Sequence, residues 1–163
     1  MVYEQLKLDN QLCFPVYAVS RLITREYQPL LDRLGITYPQ YLVLMILWEE
    51  DGVPVNDIAK KLILNTNTIT PLLKRMEKDG IIRRKRSKED ERKVIVQLTA
   101  KGREMQEEAS LIPEKLAGRL LQGELKTDDL IRLKEMLDSM IRSISKQPDK
   151  QLFSDKGFNY LSR

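Results

Sequence analysis

The first third of the chain carries apolar residues at helical spacing. The pattern runs from about residue 8 to residue 34 and stops at Gly35, and glycine is the residue that most often ends a helix. Pro15 lies inside the pattern, where a proline removes a backbone hydrogen bond and clashes with the preceding turn. The helix therefore either begins near Phe14 or is kinked there.

The middle of the chain predicts three more helices in quick succession. Thr37 and Gln40 have the T-x-x-Q spacing of a capping box, and an almost wholly apolar helix follows them. A short amphipathic helix is expected at about 55–62. The polar residues Asn65-Thr66-Asn67 then open another helix, which Gly80 closes.

After that glycine, the apolar period changes from helical to alternating. Residues 82–86 and 92–98 have the pattern of two short strands, and the polar stretch 87–91 lies between them. This segment predicts a β-hairpin.

The last third predicts two long helices. Thr99 is placed to cap a helix of about 100–121, and Thr127 to cap another of about 128–145. We interpret residues 148–163 as a tail. The predicted fold class is mainly α with a small β-hairpin.

Composition restricts the chemistry of the chain. Apolar residues make up 42% and charged residues 32% of its 163 positions, which is a normal globular balance. There is no histidine and only one cysteine, Cys13, so the usual general base, the usual zinc ligand and any disulfide within the chain are excluded. No apolar run could cross a bilayer, and the N-terminus has no signal-peptide layout. We expect a cytoplasmic protein that holds no metal and no cofactor.

The positive charge is concentrated in one segment. Residues 74–93 hold ten basic and five acidic side chains, a balance of +5, so the rest of the chain carries −1 of the total +4. A concentrated basic segment is what an anion-binding face requires.

The order of helix, short helix, turn, helix and basic hairpin is the layout of a winged helix-turn-helix. Short polar side chains at a helix start can reach base edges, and basic side chains on a hairpin suit phosphates or the minor groove. Each feature alone is more often a helix cap or a solvated face, but together they favour DNA binding. The expected contacts are Thr66, Asn67, Thr68, Thr70, Lys74, Arg75, Arg84, Arg86 and Arg92.

The chain resembles the MarR family of regulators. The resemblance is carried by the run Leu64–Lys78, the triplet Asp90-Glu91-Arg92, which matches the family's D-x-R wing, and the run Leu98–Gly102, which matches its L-T-x-x-G helix start. Residues Asn10–Phe14 and Ile36–Leu42 closely resemble the OhrR branch, whose members respond to organic hydroperoxides.

The resemblance implies a winged helix-turn-helix homodimer on a palindromic operator. The family domain would span 1–147, with a DNA-binding lobe at about 37–98 and dimerisation helices at about 8–34 and 100–145. Arg92 would enter the minor groove while Asp90 holds the wing.

The resemblance also implies that Cys13 is a redox sensor. A lone cysteine is more often a small buried hydrophobe, but this one lies near a helix start, which favours the thiolate. Tyr17, Tyr27 and Tyr38 match phenols that the OhrR branch places around its cysteine, some of them from the partner subunit. A hydroperoxide would oxidise Cys13 to a sulfenic acid. The sulfenic acid would then form a disulfide with a small-molecule thiol, condense with a backbone nitrogen, or be oxidised further. The repressor would then leave its operator.

The regulator is not expected to be an enzyme, and three other functions remain as alternatives. The chain could be a regulator that responds to a small aromatic ligand, with Cys13 inert. It could be a one-cysteine thiol peroxidase, for which Arg21 and Arg25 are the nearby cations. It could also be a winged-helix module that binds only protein, in which case salt-sensitive DNA binding would be absent.

Overall fold

The structure, a computed structural model, describes residues 3–145; the expected tail at 148–163 lies outside the described residues. Two 3₁₀ turns, Glu4–Leu6 and Leu8–Asn10, come first. The helices and strands that follow are α1 (Cys13–Leu34), α2 (Tyr38–Glu49), β1 (Val53–Pro54), α3 (Val55–Lys61), α4 (Thr66–Lys78), β2 (Ile82–Arg86), β3 (Val94–Leu98), α5 (Ala100–Ala109), α6 (Ile112–Leu120) and α7 (Thr127–Ile144).

The chain forms two compact units, one up to Ala109 and the other from Ser110 onward. In the first unit, the core consists of the inner faces of α2, α3 and α4 together with one face of a small sheet. Its fully buried side chains include Tyr41, Leu44, Ile58, Leu73 and Val96.

The first helix begins later than the apolar pattern suggested. Residues 8–10 form a 3₁₀ turn, and α1 starts at Cys13, so Pro15 is the third helical residue. The first backbone N–H groups of a helix have no partner within it, and a proline there costs no hydrogen bond. The helix therefore begins just before Pro15, as one of the two expectations had it, and is not kinked there by a missing hydrogen bond. At the other end, Gly35 has φ of 66°, which is the left-handed conformation expected of a glycine after a helix.

The sheet has three antiparallel strands in the order β1-β3-β2. The hairpin was predicted, with β3 two residues shorter than expected. Ile82 pairs with Leu98 and Arg86 with Val94, which fixes the register of the wing. The sequence reasoning missed β1, whose Val53 pairs with Val96, because two residues carry no alternating pattern.

The helix expected at about 100–121 is two helices. Pro113 lies in the first turn of α6, and it cannot donate a backbone hydrogen bond to the turn before it. The chain therefore leaves the helix at Ser110 and starts again at Ile112. The expected cap at Thr127 is also wrong, because Thr127 is already helical; the Asp129 carboxylate accepts a hydrogen bond from the Lys126 backbone N–H at 2.9 Å instead.

Large apolar side chains are exposed in both units. In α1, only Leu30 and Leu31 are buried. The exposed apolar residues of the N-terminal segment and α1 are Tyr3, Leu6, Leu8, Leu12, Phe14, Val16, Tyr17, Val19 and Leu22. In the second unit they are Leu111, Leu125, Leu133, Met136, Met140 and Ile144. Exposed apolar surface on this scale is typical of an interaction face.

Candidate functional site

The start of α4 presents short polar side chains to solvent. Asn65 caps the helix: its side-chain oxygen accepts hydrogen bonds from the Thr68 backbone N–H at 2.9 Å and from the Thr68 hydroxyl at 3.0 Å. The opposite face of α4 is anchored in the core by Ile69, Leu72, Leu73 and Met76. As a result, the expected contacts Thr66, Asn67, Thr68, Lys74 and Arg75 are exposed and Thr70 is half-buried.

The loop of the wing is organised by Asp90. Its carboxylate accepts a hydrogen bond from the Arg92 backbone N–H at 3.1 Å, and the Arg92 Nε lies 3.6 Å from the same oxygen. The Arg92 side chain is nevertheless 96% exposed. Asp90 therefore shapes the loop while Arg92 extends from it, and Arg86 is exposed on β2.

Arg84 differs from the other predicted contacts, because Glu77 of α4 already binds it. The Arg84 Nε and Nη2 donate to Glu77 Oε2 at 2.9 and 2.7 Å, and its backbone N–H donates to Oε1 at 2.8 Å. The hydrogen bond from the Arg84 side chain lowers the pKa of the Glu77 carboxyl below its ordinary value. The pair ties the hairpin of β2 and β3 to α4. Sequence reasoning missed Glu77, since no spacing rule links a helix to a following strand.

A shallow cleft lies between the start of α4 and the wing. Its lining includes four of the predicted DNA contacts, Thr66, Thr70, Arg84 and Arg92, together with Lys93. The fold thus brings side chains from two separate elements to one surface, with hydroxyls on one side and cations on the other. Such a surface can bind a phosphate backbone and reach base edges.

Cys13 is exposed and is the first residue of α1. Tyr17 follows one helical turn later and is also exposed. The helix geometry therefore places one predicted phenol near the thiol within the same chain.

The other two predicted phenols form a separate aromatic cluster. The Tyr27 and Tyr38 ring centroids are 4.8 Å apart, and Tyr41 lies 5.8 Å from Tyr27. Burial raises the pKa of Tyr38 above its ordinary value. Since Tyr27 follows Cys13 by fourteen residues on one helix, the two lie roughly 21 Å apart along its axis. One chain by itself therefore does not bring Cys13 to Tyr27 and Tyr38.

No group of three or more potential metal ligands occurs among residues 3–145. None of the helices in that part of the chain is long and apolar enough to cross a membrane.

Comparisons with known proteins agree with these features. A family model described as "Transcriptional regulator SarA/Rot" matches residues 25–109. The organic hydroperoxide resistance transcriptional regulator of Bacillus subtilis is 46% identical over 142 residues, which cover 87% of this chain and 95% of the relative.

Solved structures with a similar fold include AbfR of Staphylococcus epidermidis. Reduced AbfR bound to DNA is 39% identical, with a TM-score of 0.70, and the match covers 86% of this chain and 96% of AbfR. Overoxidized AbfR bound to DNA matches over the same shares with a TM-score of 0.69.

Proposed function

Because the chain belongs to the MarR family of winged helix-turn-helix transcriptional regulators, in its OhrR-like branch, we propose that it represses transcription until an organic hydroperoxide oxidises Cys13. It is a DNA-binding transcriptional regulator with cysteine-based sensing. We further propose that an organic hydroperoxide is the oxidant, that Cys13 and the tyrosines around it form the sensor, and that the protein is a homodimer. A cytoplasmic location is part of the proposal, because a regulator must share a compartment with the DNA that it binds.

The observation that carries the proposal is the position of Cys13. The thiol is exposed at the first residue of a long helix, where a hydroperoxide can reach the sulfur. The nearby apolar residues of α1 are exposed as well, and a second copy of the chain would cover them. Tyr27 and Tyr38 of the same chain lie too far from Cys13 to contact it. In such a homodimer, Tyr27 and Tyr38 of the partner subunit would approach Cys13 instead.

DNA binding would use α4 and the wing of each subunit. Thr66, Asn67 and Thr70 would face base edges in the major groove, and Arg92 would reach the minor groove beside it. Lys74, Arg75 and Arg86 are exposed cations suited to phosphates. A two-fold dimer requires a palindromic operator with half-sites about one helical turn apart.

The chemistry needs one equivalent of oxidant for each thiol. The thiolate sulfur attacks the terminal peroxide oxygen, the O–O bond breaks, and the alkoxide takes a proton to leave as an alcohol, so Cys13 becomes a sulfenic acid. A small-molecule thiol then forms an S–S bond with Cys13 and releases water. We expect no enzymatic turnover: with excess cysteine present, the protein should not accelerate peroxide consumption above the rate of cysteine alone once about one equivalent per protomer has reacted.

Release from DNA tests the proposal. Fluorescence anisotropy with labelled DNA from upstream of the protein's own gene measures the Kd before and after treatment with cumene hydroperoxide and cysteine. We expect the treated protein to dissociate and Cys13→Ser to stay bound. Equal dissociation of Cys13→Ser would show that Cys13 is not the sensor.

A groove in the first unit supports a second candidate function. It is lined by Arg21, Arg25, Thr24, Gln28 and Tyr38, a set that could hold an aromatic carboxylate. A regulator of this kind would be released by such a ligand with Cys13 inert. Release by salicylate that Cys13→Ser leaves unchanged would favour this alternative.

A further inference from the structure

An aromatic stripe runs along α2 from the predicted sensor phenols into the core. Tyr38, Tyr41 and Trp48 lie on the same helix, and ten residues of helix span roughly 15 Å. The Tyr38 and Tyr41 centroids are 6.5 Å apart, and Tyr41 meets Trp48 at 6.2 Å in an edge-on arrangement. Tyr41 is buried, and a close-packed interior leaves little free space around its ring, so a displacement of the Tyr38 ring must also displace the Tyr41 ring.

Trp48 connects the stripe to α5. Its indole Nε1 donates a hydrogen bond to the backbone carbonyl oxygen of Gly102 at 2.8 Å. Gly102 lies in the first turn of α5 and packs against Ile81, the residue directly before β2: a Cβ added to Gly102 would lie 2.3 Å from the Ile81 carbonyl oxygen. The first turn of α5 therefore has backbone contact with the start of the wing.

Two further groups hold the same turn against the wing. The Thr99 hydroxyl donates to the Ile81 carbonyl at 2.9 Å and accepts from the Gly102 N–H at 3.1 Å. The Asp51 carboxylate, two residues after α2, accepts from the Leu98 N–H at 2.8 Å and from Arg103 Nη1 at 2.6 Å. The start of α5, the end of β3 and the end of α2 are thus joined at one junction.

We propose that Trp48 is a positioning residue that transmits the state of the sensor phenols to the wing through its hydrogen bond to Gly102. The inference rests on the proposed function, because it describes how the oxidation of Cys13 would reach the wing. A change in the packing of Tyr38 moves Tyr41, Tyr41 moves the indole, and the indole carries the first turn of α5 with it. Close-packed interiors transmit such shifts because they leave no free volume to take them up.

The hydrogen bond can be removed while most of the ring contact is kept. Trp48→Phe retains an aromatic ring against Tyr41 and deletes the Nε1 donor to Gly102. Coupling is measured as the ratio of the DNA Kd after treatment with cumene hydroperoxide and cysteine to the Kd before it. A hydrogen bond that differs between the two states should change this ratio by about threefold to tenfold.

We expect Trp48→Phe to bind DNA in the reduced state with nearly wild-type affinity and to lose less affinity on oxidation. Ile58→Val is the matched control, because it trims a buried core side chain of α3 outside the stripe and should leave the ratio unchanged. An unchanged ratio in Trp48→Phe, with the wild type released by peroxide, overturns the role of Trp48 and leaves the proposed function standing. A wild type that peroxide fails to release overturns the proposed function itself.

A second measurement needs no substitution on the route. Trp48 is the only tryptophan of the chain, so its fluorescence reports on its contact with Tyr41 and Gly102. We expect oxidation to change the emission maximum or lifetime in the wild type and not in Cys13→Ser. Release from DNA with unchanged tryptophan emission would contradict the proposal.

Discussion

Replacing Gly102 by alanine should destabilise the protein strongly, although alanine is the better helix former. Gly102 is inside α5, where its backbone conformation is open to any residue. An added Cβ would lie 2.3 Å from the Ile81 carbonyl oxygen and 3.1 Å from Leu98 Cδ2. The nearer neighbour is a backbone carbonyl directly before β2, and it cannot rotate away as a side chain could.

The magnitude follows from two opposing effects. Alanine gains about 1 kcal/mol over glycine in a helix interior. Relieving the overlap requires α5 to move by roughly 1 Å, and overpacking of this kind costs about 1–3 kcal/mol. The movement also weakens the 2.8 Å hydrogen bond from Trp48, worth about 1 kcal/mol. We expect a net loss of about 2 kcal/mol, or a fall in Tm of about 4–8 °C for a chain of this size.

Gly118 provides the matched control. It is exposed in α6, and an added Cβ there would meet no atom within 4 Å. Gly118→Ala should therefore raise stability by up to about 1 kcal/mol.

Both variants and the wild type are unfolded thermally and in urea at one protein concentration, because the stability of a dimer depends on concentration. A Gly102→Ala variant as stable as Gly118→Ala would refute the argument that α5 rests on the wing backbone at this position.

Three further substitutions test other parts of the structure. Arg92→Ala should weaken DNA binding and reduce the slope of log Kd against log salt by about one, whereas an unchanged slope would mean that the exposed guanidinium contacts no phosphate. Arg84→Ala should lower stability by about 1 kcal/mol at neutral pH. Because Arg84 lowers the pKa of Glu77, that contribution is complete above the ordinary value of 4.5 and disappears as pH falls through the lower pKa of the folded protein. Chemical denaturation as a function of pH checks this, and an acid-side loss of the same size in Arg84→Ala would contradict it. Ile63→Gly should stabilise the protein by about 0.5–1 kcal/mol, since Ile63 is exposed at φ of 55°, a left-handed conformation that disfavours β-branched residues. A lower Tm for this variant would show that the side chain contributes a contact that outweighs the strain.

Much of the architecture was predictable because its causes are local. The glycine after α1, the Gln40 side chain that accepts from the Thr37 N–H at 2.8 Å, and the Asn65 cap each act within a few residues. The wing was equally visible, since its period and its basic charge lie in one short segment. The family and the winged helix-turn-helix fold, both expected from the motifs, are confirmed. Pro113 was a local signal for the break before α6 that the sequence reasoning did not use.

The amino-acid sequence by itself determined the family, the order of the main helices and the location of the basic wing, because periodicity, caps and motifs are properties of neighbouring residues. Only the tertiary structure decided that β1 pairs with β3, that Glu77 binds Arg84, and that Trp48 bonds to Gly102 fifty-four residues away. It also showed that Cys13 and Tyr27 lie far apart in one chain. Contacts of this kind depend on which surfaces pack together, and a linear pattern does not record the distance between residues that are remote along the chain.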